Sequence, residues 1–102
     1  MAKKTGVELI AEERKRQIEV KGWTPDHDKG HWDRSLAKAA SCYALGEKTF
    51  KRKFGGKQNV VSLEFDFWPW DDKWWKPSDD PIKNLIKAGA LIAAEIDRLQ
   101  NK

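Results

Sequence analysis

The sequence predicts a mainly α domain: a three-helix core joined by Trp-rich connectors and carrying a short β hairpin or extended arm. Three observations predict it. Apolar residues recur at helical spacing near both ends and again between Leu36 and Tyr43; a period of two occurs in the short run Val61, Leu63, Phe65 and Phe67; and Gly and Pro residues punctuate the stretches between.

The first helix runs from Thr5 to about Lys21, with Val7, Ile10, Ala11 and Ile18 on one face and Glu, Lys and Arg on the other. Gly22 offers a left-handed stop, and Pro25 prevents resumption. Trp23 to Trp32 then reads as a polar loop flanked by aromatics. Asp33 or Ser35 is placed to cap a second helix, on which Leu36, Ala39, Ala40 and Tyr43 share a face and which Gly46 ends. Its two alanines admit a closely approaching partner.

Glu47 to Gln58 has no period, so it reads as a loop or hairpin turn around Gly55-Gly56. The strand at Val61 to Phe67 needs a ladder partner, either a hairpin with about Thr49 to Phe54 or pairing across a dimer. Trp68 to Pro77 is an aromatic connector with room for one helical turn between Asp71 and Lys76. Asp80 caps the last helix and Pro81 takes its first position. Ile82, Leu85, Ile86, Gly89, Ala93, Ile96 and Leu99 form its apolar stripe. Gly89 costs roughly 1 kcal/mol relative to Ala in mid-helix, which predicts a close contact there with the Ala39-Ala40 face.

A chain of 102 residues, 39% hydrophobic and 35% charged, is bounded to a single domain, 1–102, with a small core. No run approaches the roughly 20 apolar residues of a membrane span, and Met1 to Gly6 lacks a signal peptide's apolar stretch. The expectation is a cytoplasmic protein with no membrane partner. A lone Cys42 cannot form an internal disulfide or a Cys-based zinc site, which fits a reducing compartment. The net charge of +4 permits attraction to phosphates. Lys48, Lys51, Arg52, Lys53 and Lys57 cluster in one stretch, leaving nucleic acid as a possible partner through Lys48 to Lys57.

Arg14 lies four residues after Ile10 and four before Ile18, within the apolar stripe. A guanidinium there needs an anionic partner: a carboxylate such as Glu95 or Asp28, or a ligand's phosphate. The loop holding His27, Asp28 and His31 has potential metal ligands, but Pro25 and Gly30 break the helical spacing that would converge them, so a turn is expected. Glu8, Glu12 and Glu19 read as a solvated face, and the second helix carries no carboxylate pair, which points away from a metal-dependent hydrolase. Cys42 has no accompanying base.

Tryptophan is the strongest signal. Trp23 and Trp32 flank one connector, and Trp68, Trp70, Trp74 and Trp75 another. Indole rings offer flat faces for stacking on a base or meeting a cation, and they also dominate protein–protein hot spots. The candidate ligand-binding residues are Arg14, Gln17, Trp23, His27, Asp28, Trp68, Trp70, Trp74, Trp75 and Lys76, with Arg14, Lys73 or Lys76 meeting phosphate. No catalytic residue, metal ligand or cofactor is predicted.

Glu13 to Gln17, Gly22 to Asp28, Trp68 to Pro77 and Leu85 to Ile96 together resemble a family of small bacteriophage and prophage proteins, leaving about 47–67 as a variable insert. Arg14, Gly22-Trp23, Pro69-Trp70-Asp71, Lys76 and Asp79 distantly resemble the ryanodine-receptor repeat domain, which implies a nucleotide-sensing module. The opening Glu13-Arg14 and Gln17 helix is also similar to MazG-like nucleotide pyrophosphohydrolases. Their magnesium-binding Glu-x-x-Glu is replaced here by Leu36 to Tyr43, and the later acidic pair by Lys87-Ala-Gly-Ala, which implies a shell without its metals.

The resulting expectation is a non-catalytic phage or prophage accessory protein in the bacterial host cytoplasm that binds a small nucleotide-type ligand. The alternatives are an inhibitor that binds a host protein or nucleic acid, and a MazG-like pyrophosphohydrolase. A homodimer fits the small-residue helix faces and the lone strand.

Overall fold

The computed structural model describes residues 3–22, 34–55 and 61–100, and these are mainly helical. Helix α1 spans Gly6–Glu19. Thr5 starts it with a capping box: its hydroxyl accepts from the Glu8 N–H at 3.3 Å, while the Glu8 carboxylate accepts from the Thr5 N–H at 3.0 Å. Gly22, just beyond its end, adopts the left-handed φ of +72°.

Helix α2 spans Ser35–Leu45 and ends on Gly46 at φ 73°. Its start differs from the expected Asp33 or Ser35 cap. Arg34 holds the cap position with a left-handed φ of 67° and no side-chain cap hydrogen bond, and Ser35 is already helical; Asp33 lies outside the described residues. A left-handed non-glycine residue costs roughly 1–2 kcal/mol. An ion pair from Arg34 Nε to Glu95 Oε2 at 2.8 Å helps to hold it there.

Strands β1 (Thr49–Phe54) and β2 (Val61–Asp66) pair antiparallel, with Thr49 opposite Asp66 and Phe54 opposite Val61. The Phe67 N–H continues the ladder to the Lys48 carbonyl at 2.9 Å. A single 3-10 turn at Asp72–Trp74 follows, capped by the Asp71 carboxylate on the Lys73 N–H. Helix α3 spans Pro81–Gln100. Asp80 caps it, Oδ1 accepting from the Ile82 N–H at 2.9 Å, with Pro81 at the first helical position.

The core forms between α2 and α3. Leu36, Ala39, Ala40, Cys42 and Tyr43 meet Ala88, Leu91 and Ala94, and Trp68 completes the cluster. Four of the seven residues of the stripe expected to face inward on α3 are turned outward instead, while Ile86, Gly89 and Ala93 are partly buried. Ile82 is 59% exposed, Leu85 53%, Ile96 50% and Leu99 38%. The helix buries Asn84, Ala88, Ala90, Leu91, Ala94, Glu95 and Arg98. Alanine faces on both helices let the backbones approach closely and gain dense packing. The polar members are paired: Asn84 makes two hydrogen bonds with Ser78, each 2.8 Å, and Glu95 accepts from both Arg98 and Arg34.

Helix α1 crosses the other side of α3. Gly89 meets α1 rather than the expected Ala39-Ala40 face, because a Cβ there would lie 2.5 Å from Ile10 Cδ1. Arg14 is buried and its Nη2 pairs with Asp97 Oδ2 at 3.2 Å. Glu95, the partner proposed from sequence, is taken by Arg98 and Arg34, which hold its carboxyl below the ordinary glutamate range against the upward push of burial. Among the described residues no helix is long and apolar enough to cross a membrane.

Candidate functional site

A pocket of about 260 Å³ lies between the last turns of α1 and the first turns of α3. Glu13 and Arg16 come from α1, Lys83, Asn84, Ile86 and Lys87 from α3, and Lys76 and Ser78 from the connector between the 3-10 turn and α3. Four cations and one carboxylate therefore share its walls. The carboxylate is already committed: Arg16 reaches Glu13 through Nε at 2.6 Å and Nη2 at 2.9 Å. These hydrogen bonds, first among the causes, draw the Glu13 carboxyl below its ordinary range. Lys76, Lys83 and Lys87 form no ion pair among the described residues.

Lys87 is the most constrained of the three. It is half-buried, and its ammonium lies 4.8 Å from the Tyr43 ring centroid, within cation–π range. Burial lowers its pKa, and the neighbouring charges of Arg16, Lys21 and Lys76 lower it further against the attraction of Glu13. Crowded cations of this kind are stabilised by an incoming anion, which relieves their mutual repulsion.

Tyr43 ties the aromatic layer to this pocket. Its hydroxyl accepts from the Lys76 N–H at 3.2 Å and donates to the Trp74 carbonyl at 3.4 Å, fixing the backbone that carries Lys76. Its ring packs against Trp75 at 4.8 Å and edge-on against Trp68 at 5.6 Å, and Trp68 in turn meets Trp70 and Trp75. Burial raises the Tyr43 pKa despite the Lys76 hydrogen bond, so the phenol stays protonated in the neutral range.

The structure divides the residues proposed from sequence into groups. Lys76 lines the pocket. Trp75 does not line it but packs on Tyr43, whose ring lies under Lys87; Trp68 is core, and Trp70 and Trp75 pack against the core. Trp74 is 57% exposed and meets Lys73 at 5.2 Å. Gln17 is fully buried beside the pocket's wall, its Nε2 donating to Glu13 at 3.4 Å and its Oε1 without a hydrogen-bond partner among the described residues. Arg14 faces away, into the separate groove it shares with Val7, Ile10 and Ile18. Trp23, His27 and Asp28 lie outside the described residues, as do Trp32 and Lys57. Lys48 of the basic cluster is drawn into an ion pair with Asp72 at 3.0 Å.

Sequence reasoning missed Arg16, Lys83 and Lys87. Their signal was the i, i+4 spacing of Lys83 and Lys87, which places two cations on one side of α3. No family model, characterised protein or solved structure matches the chain.

Proposed function

We propose that the chain is a non-catalytic binding protein for a small nucleotide-type ligand whose phosphates occupy the basic pocket. The convergence of Arg16, Lys76, Lys83 and Lys87 on one cavity carries this reading. A pocket of about 260 Å³ suits a phosphate or pyrophosphate group, and the base of the ligand would lie outside it. Trp74, exposed two residues before Lys76, offers a face on which that base stacks. Each ammonium donates charge-assisted hydrogen bonds to phosphate oxygens, and Arg16 keeps its pairing with Glu13 as a fixed wall. The role of a phage accessory protein that sequesters or senses a host signalling nucleotide belongs to the same reading, through the sequence resemblances described above.

The test is a titration of nucleoside mono-, di- and triphosphates, cyclic dinucleotides, ADP-ribose derivatives and inorganic pyrophosphate, followed by Trp fluorescence and melting temperature. At least one phosphate-bearing compound binds the wild type, and Lys83→Ala/Lys87→Ala abolishes that binding. A flat response across the panel rejects the reading. Magnesium-dependent turnover of a nucleoside triphosphate assigns the chain to the pyrophosphohydrolases instead.

A further inference from the structure

In the basic pocket between α1 and α3 the side-chain acceptors are already engaged, while side-chain donors remain open. Glu13 Oε1 accepts from Arg16 Nε at 2.6 Å, and Oε2 accepts from Arg16 Nη2 at 2.9 Å and from the Gln17 amide at 3.4 Å. The Asn84 amide is spent at both ends on the backbone of Ser78, Oδ1 accepting from the N–H and Nδ2 donating to the carbonyl, each at 2.8 Å. Ser78 Oγ accepts from the Asp80 N–H at 3.1 Å, which leaves its hydroxyl proton to donate. Beside that hydroxyl stand the ammoniums of Lys76, Lys83 and Lys87, which form no ion pair among the described residues. Four cations against one carboxylate give the lining three net positive charges.

We infer that the group this pocket takes is a terminal diphosphate, the free end of a phosphomonoester chain, in preference to a phosphodiester. The inference deepens the phosphate-binding reading above and rests on it. A terminal phosphate turns three peripheral oxygens, all acceptors, towards a wall of donors, and it carries about −1.5 to −2 charge at pH 7. A nucleoside diphosphate therefore brings about three negative charges to three positive ones. Esterifying the terminal phosphate removes one of those charges and sets a carbon substituent against the ammoniums. Compact ammoniums with three rotatable donors each follow a tetrahedral array of oxygens, whereas the guanidinium of Arg16, which matches a planar carboxylate, is already held by one in Glu13. With the lining's side-chain acceptors engaged, sugar hydroxyls and base N–H groups gain nothing by entering, so they lie outside.

The test is calorimetric titration of the full chain with ADP and with ADP-ribose, at one ionic strength and without magnesium. The two compounds share adenine and a diphosphate and differ in whether the terminal phosphate is free. ADP is expected to bind about tenfold more tightly than ADP-ribose, or better, because one further negative charge faces the cationic wall. Lys83→Gln, at an exposed position, keeps the side chain polar and removes one charge. It should weaken ADP more than ADP-ribose and so narrow the ratio. Equal losses for the two compounds, or wild type that binds ADP-ribose as tightly as ADP, overturn the inference and leave the phosphate-binding reading standing. No binding of ADP, ADP-ribose or inorganic pyrophosphate rejects that reading itself, and the inference falls with it.

Discussion

Ile10 of α1 sits directly on the bare backbone of Gly89 in α3, where an added methyl would lie 2.5 Å from its Cδ1 and 2.8 Å from its Cγ1. The glycine gives up roughly 1 kcal/mol of helix propensity so that two helices can cross at contact distance. Gly89→Ala regains that propensity but overpacks the crossing by about 1–3 kcal/mol. Net destabilisation of about 1 kcal/mol is expected in urea unfolding. In an Ile10→Ala background the same substitution should become stabilising, because the obstructing side chain is gone. Additive effects of the two changes would refute the contact.

Tyr43→Phe removes the hydroxyl that joins the Lys76 N–H to the Trp74 carbonyl while leaving the ring stack in place. A loss of about 1 kcal/mol is expected. Because Lys76 is positioned through that bond, phosphate affinity should drop with stability, and a variant with unaltered affinity would separate the aromatic layer from the pocket.

Glu95 and Arg98 are both buried, and the carboxylate also receives Arg34. Glu95→Gln leaves Arg98 without its charge partner and should cost about 3 kcal/mol. The pH dependence follows from the same pair. The folded-state pKa of Glu95 lies below the ordinary 4.5, so its contribution is present above that value and is lost as pH falls through the lower, folded value. Melting temperature should hold steady from neutrality to about pH 5 and decline below 4.5, with Glu8 and Glu13, also lowered, adding to the loss. In Glu95→Gln the decline should be shallower.

Lys87 predicts the opposite direction for ligand binding. Its pKa is depressed in the free protein by burial and by Arg16, Lys21 and Lys76, and a bound anion restores it. Pyrophosphate binding should therefore take up protons and weaken as pH rises, at lower pH than an ordinary lysine with a value of 10.5 would allow. Calorimetry in buffers of different ionisation enthalpy measures the uptake. Lys87→Arg should flatten the profile, since a guanidinium stays charged throughout.

Local chemistry was the legible part of this fold. The Asp80-Pro81 start of α3, the Gly46 stop and the Leu36-Ala39-Ala40-Tyr43 face of α2 depend on neighbours within one or two turns, and spacing reveals them. Arg14 was recognisable as a guanidinium in need of a partner, but the choice of Asp97 depends on the angle at which α1 crosses α3. The buried face of α3 was misread for a related reason. A stripe of Ile and Leu outweighs alanines in any hydropathy reading, whereas helix packing rewards the alanine face when the opposing helix is also small-sided. The pocket was hidden because Lys83 and Lys87 look like ordinary solvated lysines until α1 brings Arg16 and Glu13 against them. Arg34 carries no local signal for a left-handed cap, since its ion pair reaches 61 positions along the chain.

The packed rings of Tyr43, Trp68, Trp70 and Trp75, with neighbouring centroids about 5 Å apart, also have an optical consequence. Their electronic transitions overlap the far-ultraviolet bands of the peptide, and chromophores this close in a fixed chiral arrangement couple as excitons. Circular dichroism will then report the helices together with the ring cluster, and a helix content read from one wavelength will be distorted. The coupled band gives in return a marker of side-chain order: it should vanish when the aromatic layer loosens, even while the helices persist.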